Sequence, residues 1–249
     1  CGSDDSEKAS GDGGKNALEK IKESKTMVFG VKNDTRLFGL KNPSTGDIEG
    51  FDIDIANEIA KGILGDDATV EFKEVTSKTR IPLLQNGEID AIIATMTITD
   101  ERKEQVDFSD VYFEAGQSLL VPKGSSIQSI DDITSNTKVL AVKGSTSADN
   151  IRELTDAQVL EFENYSEAFT ALKAGQGDVL TTDNSILYGM AVEDPDYEVI
   201  GGTFTDEPYG IAVKKGQTEL LDEINRVLAE IHENGTYDEI YNKWFGDME

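Results

Sequence analysis

The chain is expected to fold as an α/β protein of two lobes, and three observations predict this. Strand-like and helix-like segments alternate along most of its length, the pattern of a mostly parallel sheet flanked by helices. The alternation restarts near Gln117. The third observation is an internal echo: Leu84-x-x-Gly87-x-x-Asp90, then four residues to Thr95, matches Leu172-x-x-Gly175-x-x-Asp178, then four residues to Asp183. Both segments read as helix, glycine stop, strand and a polar residue. Thr95 and Asp183 then fall at the carboxyl ends of matching strands, the edge at which open α/β sheets bind ligands.

Taken in order, residues 1–16 are a polar, Gly/Ser/Asp-rich tether with too little apolar surface to order itself. Residues 17–24 form a short helix and 26–31 the first strand, with Lys32 at the strand's end. Pro43 and Gly46 mark a solvent turn. Ile55, Ile59 and Ile63 recur every four residues beside Ala56 and Ala60, so a helix follows Phe51 and stops at Gly65; Asp52 and Asp54 serve as its caps. Residues 69–75 alternate as a strand. A short helix with Pro82 in its first turn ends at Gly87, and residues 90–94 are a buried strand. Thr99 then caps a new helix carrying Arg102 in its first turn, where a cation opposes the helix dipole unless an anion sits beside it.

The second half repeats the scheme. A strand spans 118–121, a break follows Pro122, and residues 130–133 make a short helix. Strands are expected at 138–142, 158–162, 178–182 and 197–200, with helices at 147–154, 166–174 and 184–191 between them. Residues 209–214 read as one strand. Leu220, Ile224, Val227 and Ile231 mark one face of a helix that stops at Asn234-Gly235, before a last aromatic-rich helical segment.

Composition narrows the function. The net charge of -26 disfavours nucleic acid and anionic membrane surfaces as partners. The sole cysteine, Cys1, excludes a disulfide frame and a thiolate metal cluster. A Cys followed by a polar, glycine-rich stretch looks like a bacterial lipoprotein whose signal peptide is removed before a lipidated Cys1. No run reaches the roughly 20 apolar residues of a bilayer span, so any membrane tie is a lipid anchor. His232, the only histidine, lies among Glu230, Glu233 and Asn234 as a helix-surface residue. With that one histidine on a helix surface and one cysteine at position 1, neither a Ser-His-Asp triad nor a thiolate-based catalytic zinc site can be built. No enzyme activity, metal or cofactor is expected.

Cations are scarce, 23 against 49 acids, and Lys32, Arg80 and Arg102 all lie at strand ends or helix starts on the expected ligand edge. Arg102 with Thr97 suits an α-carboxylate, Asp183 an α-amine, and Lys32 with Arg80 a second carboxylate.

These segments resemble the substrate-binding proteins of polar-amino-acid ABC transporters, bacterial solute-binding family 3. The residues that carry the likeness are Gly50-Phe-Asp-Ile-Asp54, Arg80-Ile-Pro-Leu-Leu-Gln-Asn-Gly-Glu-Ile-Asp90, Met96-Thr-Ile-Thr-Asp-Glu-Arg102, Val106-Asp-Phe-Ser109, Tyr209-Gly-Ile-Ala212 and Asn234-Gly-Thr-Tyr237 through Trp244. The resemblance covers residues 20–246. It implies the type II periplasmic-binding-protein-like fold, two α/β lobes joined by two hinge strands. Lobe 1 would comprise 17–112 and 210–249, lobe 2 116–204, with hinges near 112–116 and 205–209. Carried over by position, the α-carboxylate site falls on Arg102, Thr97, Ser145 and Thr146, and the amine site on Asp183 and Thr95. The side-chain subsite falls on Lys32, Ser77, Arg80 and Tyr165. Members that bind glutamate or aspartate tend to carry bases at the Lys32 and Arg80 positions, whereas glutamine binders carry an acid and an aliphatic residue. The resemblance therefore implies an acidic L-amino acid as ligand, with glutamine as the alternative; Tyr165 departs from the histidine of acid-binding relatives. It further implies a monomer on the outer face of the cytoplasmic membrane, with the permease subunits as partners. A surface sensor or adhesin and a dehydratase-like enzyme are the competing classes.

Overall fold

The structure is a computed structural model, and it describes residues 15–246. Residues 1–14 of the proposed tether, with the Cys1 lipidation site, lie outside the described residues; Asn16, placed in the tether, instead caps the helix Ala17–Ser24 by accepting from the Glu19 N–H at 2.9 Å. No described helix is long and apolar enough to cross a membrane.

Two five-stranded sheets organise the molecule as two lobes of a type II fold. In the first, the strands Thr69–Glu74, Thr26–Val31 and Ala91–Ile92 run parallel in that order. Ala212–Lys214 is inserted antiparallel between Ala91–Ile92 and Val106–Phe108. In the second, Gln158–Phe162, Lys138–Val142 and Val179–Asp183 are parallel, and Gln117–Pro122 and Tyr197–Ile200 complete the sheet antiparallel. The chain passes between the sheets at Phe113–Ala115 and Glu207–Tyr209, which pair with each other, Glu207 opposite Ala115.

The internal echo is structural in detail. Gly87 and Gly175 adopt φ of 87° and 76°, the left-handed stop that a side chain would resist. Their N–H groups bond back to the Leu84 and Leu172 carbonyls. Asp90 Oδ2 accepts from the Val28 N–H at 2.8 Å, and Asp178 Oδ2 accepts from the Lys138 N–H at 2.8 Å. Each aspartate thus registers the strand that follows it against the neighbouring parallel strand of its own sheet. The strands then deliver Thr95 and Asp183 to corresponding edges.

Beneath the crossing strands lies an aromatic core. Phe38 meets Phe51, Phe113 and Tyr209 edge-on with centroids 5.2 to 6.0 Å apart, favourable quadrupole geometry. The helices Thr218–Glu233 and Thr236–Phe245 return to the first lobe and bury Leu220, Ile224, Val227 and Phe245 there. The helix Phe51–Leu64 starts tightly: Gly50 has φ 154°, and a Cβ on it would sit 2.1 Å from the Phe38 carbonyl oxygen. Gly50→Ala should therefore cost about 1–3 kcal/mol, read as a lower urea midpoint at unchanged m-value.

The structure corrects four local expectations. Residues 209–214 are not one strand: the chain kinks at Gly210, so Glu207–Tyr209 pairs with Phe113–Ala115 while Ala212–Lys214 joins the first sheet. The strand expected over 90–94 is confined to Ala91–Ile92, because Thr95 turns to a left-handed φ of 47°. Asp52 is not a cap but a buried residue, discussed below. The helix carrying Arg102 spans only Asp100–Lys103, too short for a dipole argument, although Thr99 does cap it by accepting from the Arg102 N–H at 3.1 Å.

Candidate ligand-binding site

Loops at the facing edges of the two sheets enclose a cavity of about 10 Å³, room for about one water. Nine of the ten expected ligand residues line it: Thr95, Thr97 and Arg102; Ser145, Thr146 and Asp183; and Ser77, Arg80 and Tyr165. The tenth, Lys32, stands just behind. Its ammonium donates to Ser77 Oγ at 2.6 Å and lies 4.6 Å from the centre of the Tyr165 ring. Ser147 and Thr182 also line the cavity. An amino acid is far larger than this space, so entry requires the lobes to separate.

The guanidinium of Arg102 is fixed by carbonyls from both lobes. Nη1 donates to the Thr97 oxygen at 2.7 Å and Nη2 to the Gly144 oxygen at 2.9 Å. The charge is thereby aimed between the Met96–Thr99 segment and the uncapped start of the helix Thr146–Leu154. Free N–H groups at that helix start and an adjacent guanidinium make a cradle for a carboxylate. The Ser145 hydroxyl is already engaged, donating to the Val142 carbonyl at 2.7 Å, so only its backbone remains for a ligand.

Asp183 sits across the cavity, 4% exposed. Its Oδ2 accepts from the Tyr209 hydroxyl, while Oδ1 is buried with no hydrogen-bond partner. Burial raises its pKa to about 7, partly offset by the Tyr209 bond. An unpartnered buried carboxylate oxygen facing a cavity is the acceptor that an ammonium group would satisfy.

The two other cations are less free than the sequence suggested. Arg80 is 2% exposed and donates from Nη1 to the Ala94 carbonyl at 2.8 Å, leaving Nε without a partner. Lys32 is driven down to about 7, first by burial and then by the charge of Arg80.

Two carboxyl groups here were missed. Asp52, 1% exposed, accepts from Tyr112 Oη at 2.8 Å and from the Thr95 N–H at 3.1 Å, holding Thr95 in its strained conformation. Burial raises its pKa to about 7. Glu207, 3% exposed on the crossing strand, accepts at Oε1 from Thr97 Oγ1 at 3.1 Å and from the Thr146 hydroxyl. Its Oε2 accepts from Thr205 Oγ1 at 2.9 Å. No periodicity marks either residue, since the partners that tie each to the site lie at least 43 positions away; for Glu207 only Thr205 is a sequence neighbour. His232 is exposed and stacks on Tyr237, remote in role from the cavity, as its helix position predicted.

Comparisons with known proteins show the family of the chain. The model for bacterial extracellular solute-binding proteins, family 3, matches residues 27–247. The chain is 68% identical over 246 residues to the ABC transporter glutamine-binding protein GlnH of Bacillus subtilis, covering 98% of this chain and 90% of that protein. It is 66% identical over 203 residues to the glutamine-binding protein of Geobacillus stearothermophilus, covering 81% and 78% of the two. Among solved structures, an ancestral arginine-binding protein bound to glutamine superposes with a TM-score of 0.82 at 46% identity, over 89% of this chain and 98% of that one.

Proposed function

Because the chain belongs to the bacterial extracellular solute-binding proteins of family 3, we propose that it captures L-glutamine between its lobes and delivers it to the permease of an ABC importer. What carries glutamine is the likeness to two glutamine-binding proteins, at 68% and 66% identity. The two extra cations are partly engaged within the protein: Lys32 donates to Ser77 and lies over Tyr165, and one Arg80 N–H goes to the Ala94 carbonyl. The acidic ligand that the resemblance implied therefore yields to its alternative. The hydroxyls of Ser77, Tyr165 and Thr182 can accept the N–H groups of a side-chain amide, which a carboxylate does not possess.

In this reading Arg102, Thr97 and the Ser145-Thr146 turn hold the α-carboxylate, and Asp183 with Thr95 holds the α-amine. Ser77, Arg80, Lys32 and Tyr165 surround the side chain. The crossing pair Phe113–Ala115 and Glu207–Tyr209 is the hinge. Closure is driven by ligand contacts to both lobes, since only differential contacts can shift the open–closed balance. The protein acts outside the cytoplasm, as its family does, and works as a carrier without chemistry of its own.

Titration calorimetry on protein unfolded and refolded to strip carried-over ligand tests the assignment. Glutamine should bind at least tenfold tighter than glutamate or aspartate at pH 7.5, a gap of about 1.4 kcal/mol or more. Tighter glutamate binding would restore the acidic reading, and no heat with any of the three would return the sensor and enzyme classes to consideration.

A further inference from the structure

We propose that Gly189 is a positioning residue for ligand capture: without a side chain, it lets the helix Asn184–Glu193 seat against the Arg36 carbonyl of the opposite lobe, and this contact sets how far the cleft can shut. The inference rests on the reading of an amino acid captured by closure of the lobes, and it adds a residue that touches no ligand.

Glycine is a poor residue for this place in the chain. Gly189 lies in the interior of a helix of 10 residues that packs on the second sheet, where alanine would favour the helix. Its backbone is helical, so no left-handed φ calls for glycine. The reason lies in the other lobe. A Cβ on Gly189 would sit 2.7 Å from the Arg36 carbonyl oxygen, and the three heavy atoms nearest to it outside the helix backbone all belong to Arg36. Gly144 also meets the opposite lobe, at Lys78, but its φ of 81° would strain a side chain in any state of the protein.

Neither side of the contact can yield. Arg36 lies in a braced turn: Leu37 beside it holds a left-handed φ of 80°, the Leu37 carbonyl accepts from the Phe51 N–H at 2.7 Å, and the Phe38 N–H donates to the Thr35 carbonyl at 3.1 Å. The helix is fixed at its start, where the Asn184 N–H donates to the Gly116 carbonyl at 2.7 Å, and its Ile186 and Leu187 are buried. Separation of the lobes is what relieves the contact. At the helical rise, Gly189 stands about 7.5 Å along the helix from Asn184, so rotation about the crossing strands carries it away from Arg36. Beside it a second bond joins the lobes, the Ser166 N–H donating to Asp34 Oδ2 at 2.9 Å. A methyl group on Gly189 is therefore harmless in the open protein and obstructive in the closed one.

The competing explanation is that Gly189 is a packing choice with no part in closure. A clash present in both states lowers stability and affinity together, whereas a clash confined to the closed state separates them. Stripped of ligand, the full chain carrying Gly189→Ala should melt about 2 °C above wild type, through its better helix propensity. The same variant should bind glutamine about tenfold more weakly by calorimetry at pH 7.5. Small-angle scattering at saturating glutamine should show a smaller fall in radius of gyration for Gly189→Ala than for wild type. A ligand-free variant that melts below wild type, or an affinity within about threefold of it, overturns the inference. The wild-type titration separates the two layers. A wild type that prefers glutamate overturns the ligand assignment, and the same comparison is then made with glutamate. A wild type that binds neither these two nor aspartate overturns the capture reading and this inference with it.

Discussion

Arg102→Ala should weaken glutamine binding about a thousandfold, or about 4 kcal/mol, without unfolding the protein. Arg102 is 9% exposed, and its guanidinium is already oriented by the Thr97 and Gly144 carbonyls, so no rotamer search delays or dilutes its interaction with an incoming carboxylate. Truncation would leave the ligand's α-carboxylate desolvated between the lobes with only backbone N–H donors, a penalty that grows because the closed cavity excludes water. Arg102→Lys keeps the charge but loses the planar fork and at least one of the carbonyl contacts, so an intermediate loss is expected. The check is calorimetry on both variants, with far-UV circular dichroism showing a retained fold. Binding within tenfold of wild type in Arg102→Ala would mean that the carboxylate is held elsewhere, and the whole polarity of the ligand in the cleft would have to be reversed.

The contrast between Arg102 and Glu207 shows what was legible in the sequence. Arg102 was visible because local features converge on it: a strand end, a run of hydroxyl residues and a capping threonine all lie within ten positions. The Leu84–Thr95 and Leu172–Asp183 echo was legible for the same reason, since a helix, a glycine stop and a strand are each written in neighbouring residues. Even the aspartates of that echo, noticed only as a spacing, prove to register each strand through one side-chain bond. Glu207 gave no such signal. It precedes Pro208 in a stretch that reads as an ordinary strand entry, and its importance arises from Thr97 and Thr146, 110 and 61 positions away. Asp52 failed similarly, because an acid in a helix's first turn has a sufficient local explanation as a cap. The cations were counted correctly, but a charge count taken before the long-range acids are in place is incomplete, and that turned the ligand reading toward glutamate. Gly210 split a strand for a comparable reason: alternation along 209–214 cannot reveal that its two halves pair with different partners.

Asp183→Asn should separate binding from stability, moving them in opposite directions. In the ligand-free protein the burial of Asp183 raises its pKa from 3.8 to about 7, and Oδ1 has no partner. Between those two values the native state holds a proton that the unfolded chain has released. Stability from this group therefore falls as pH rises from about 4 to about 7, and the cost is fully present above that window. An asparagine is neutral throughout. Stripped of ligand, the variant should melt higher than wild type by a margin that widens from pH 4 to pH 7 and then levels off. Ligand reverses the order, because the ammonium of glutamine supplies the charge partner that Asp183 lacks and brings its pKa back down. Asn offers only a dipole to that ammonium, so binding should fall about a hundredfold, or about 3 kcal/mol. At saturating glutamine the wild type, gaining the larger linkage term from its tighter ligand, should then melt above the variant. Calorimetric melts of both proteins at pH 5 and pH 7.5, each with and without glutamine, read all of this in one experiment. A variant no more stable than wild type when ligand-free at pH 7.5 would mean that Asp183 is already neutralised there, whereas an unchanged glutamine affinity would remove it from the amine site. Together the two effects would mean that the cleft tolerates an unpaired buried carboxyl in the free protein because the ligand completes it.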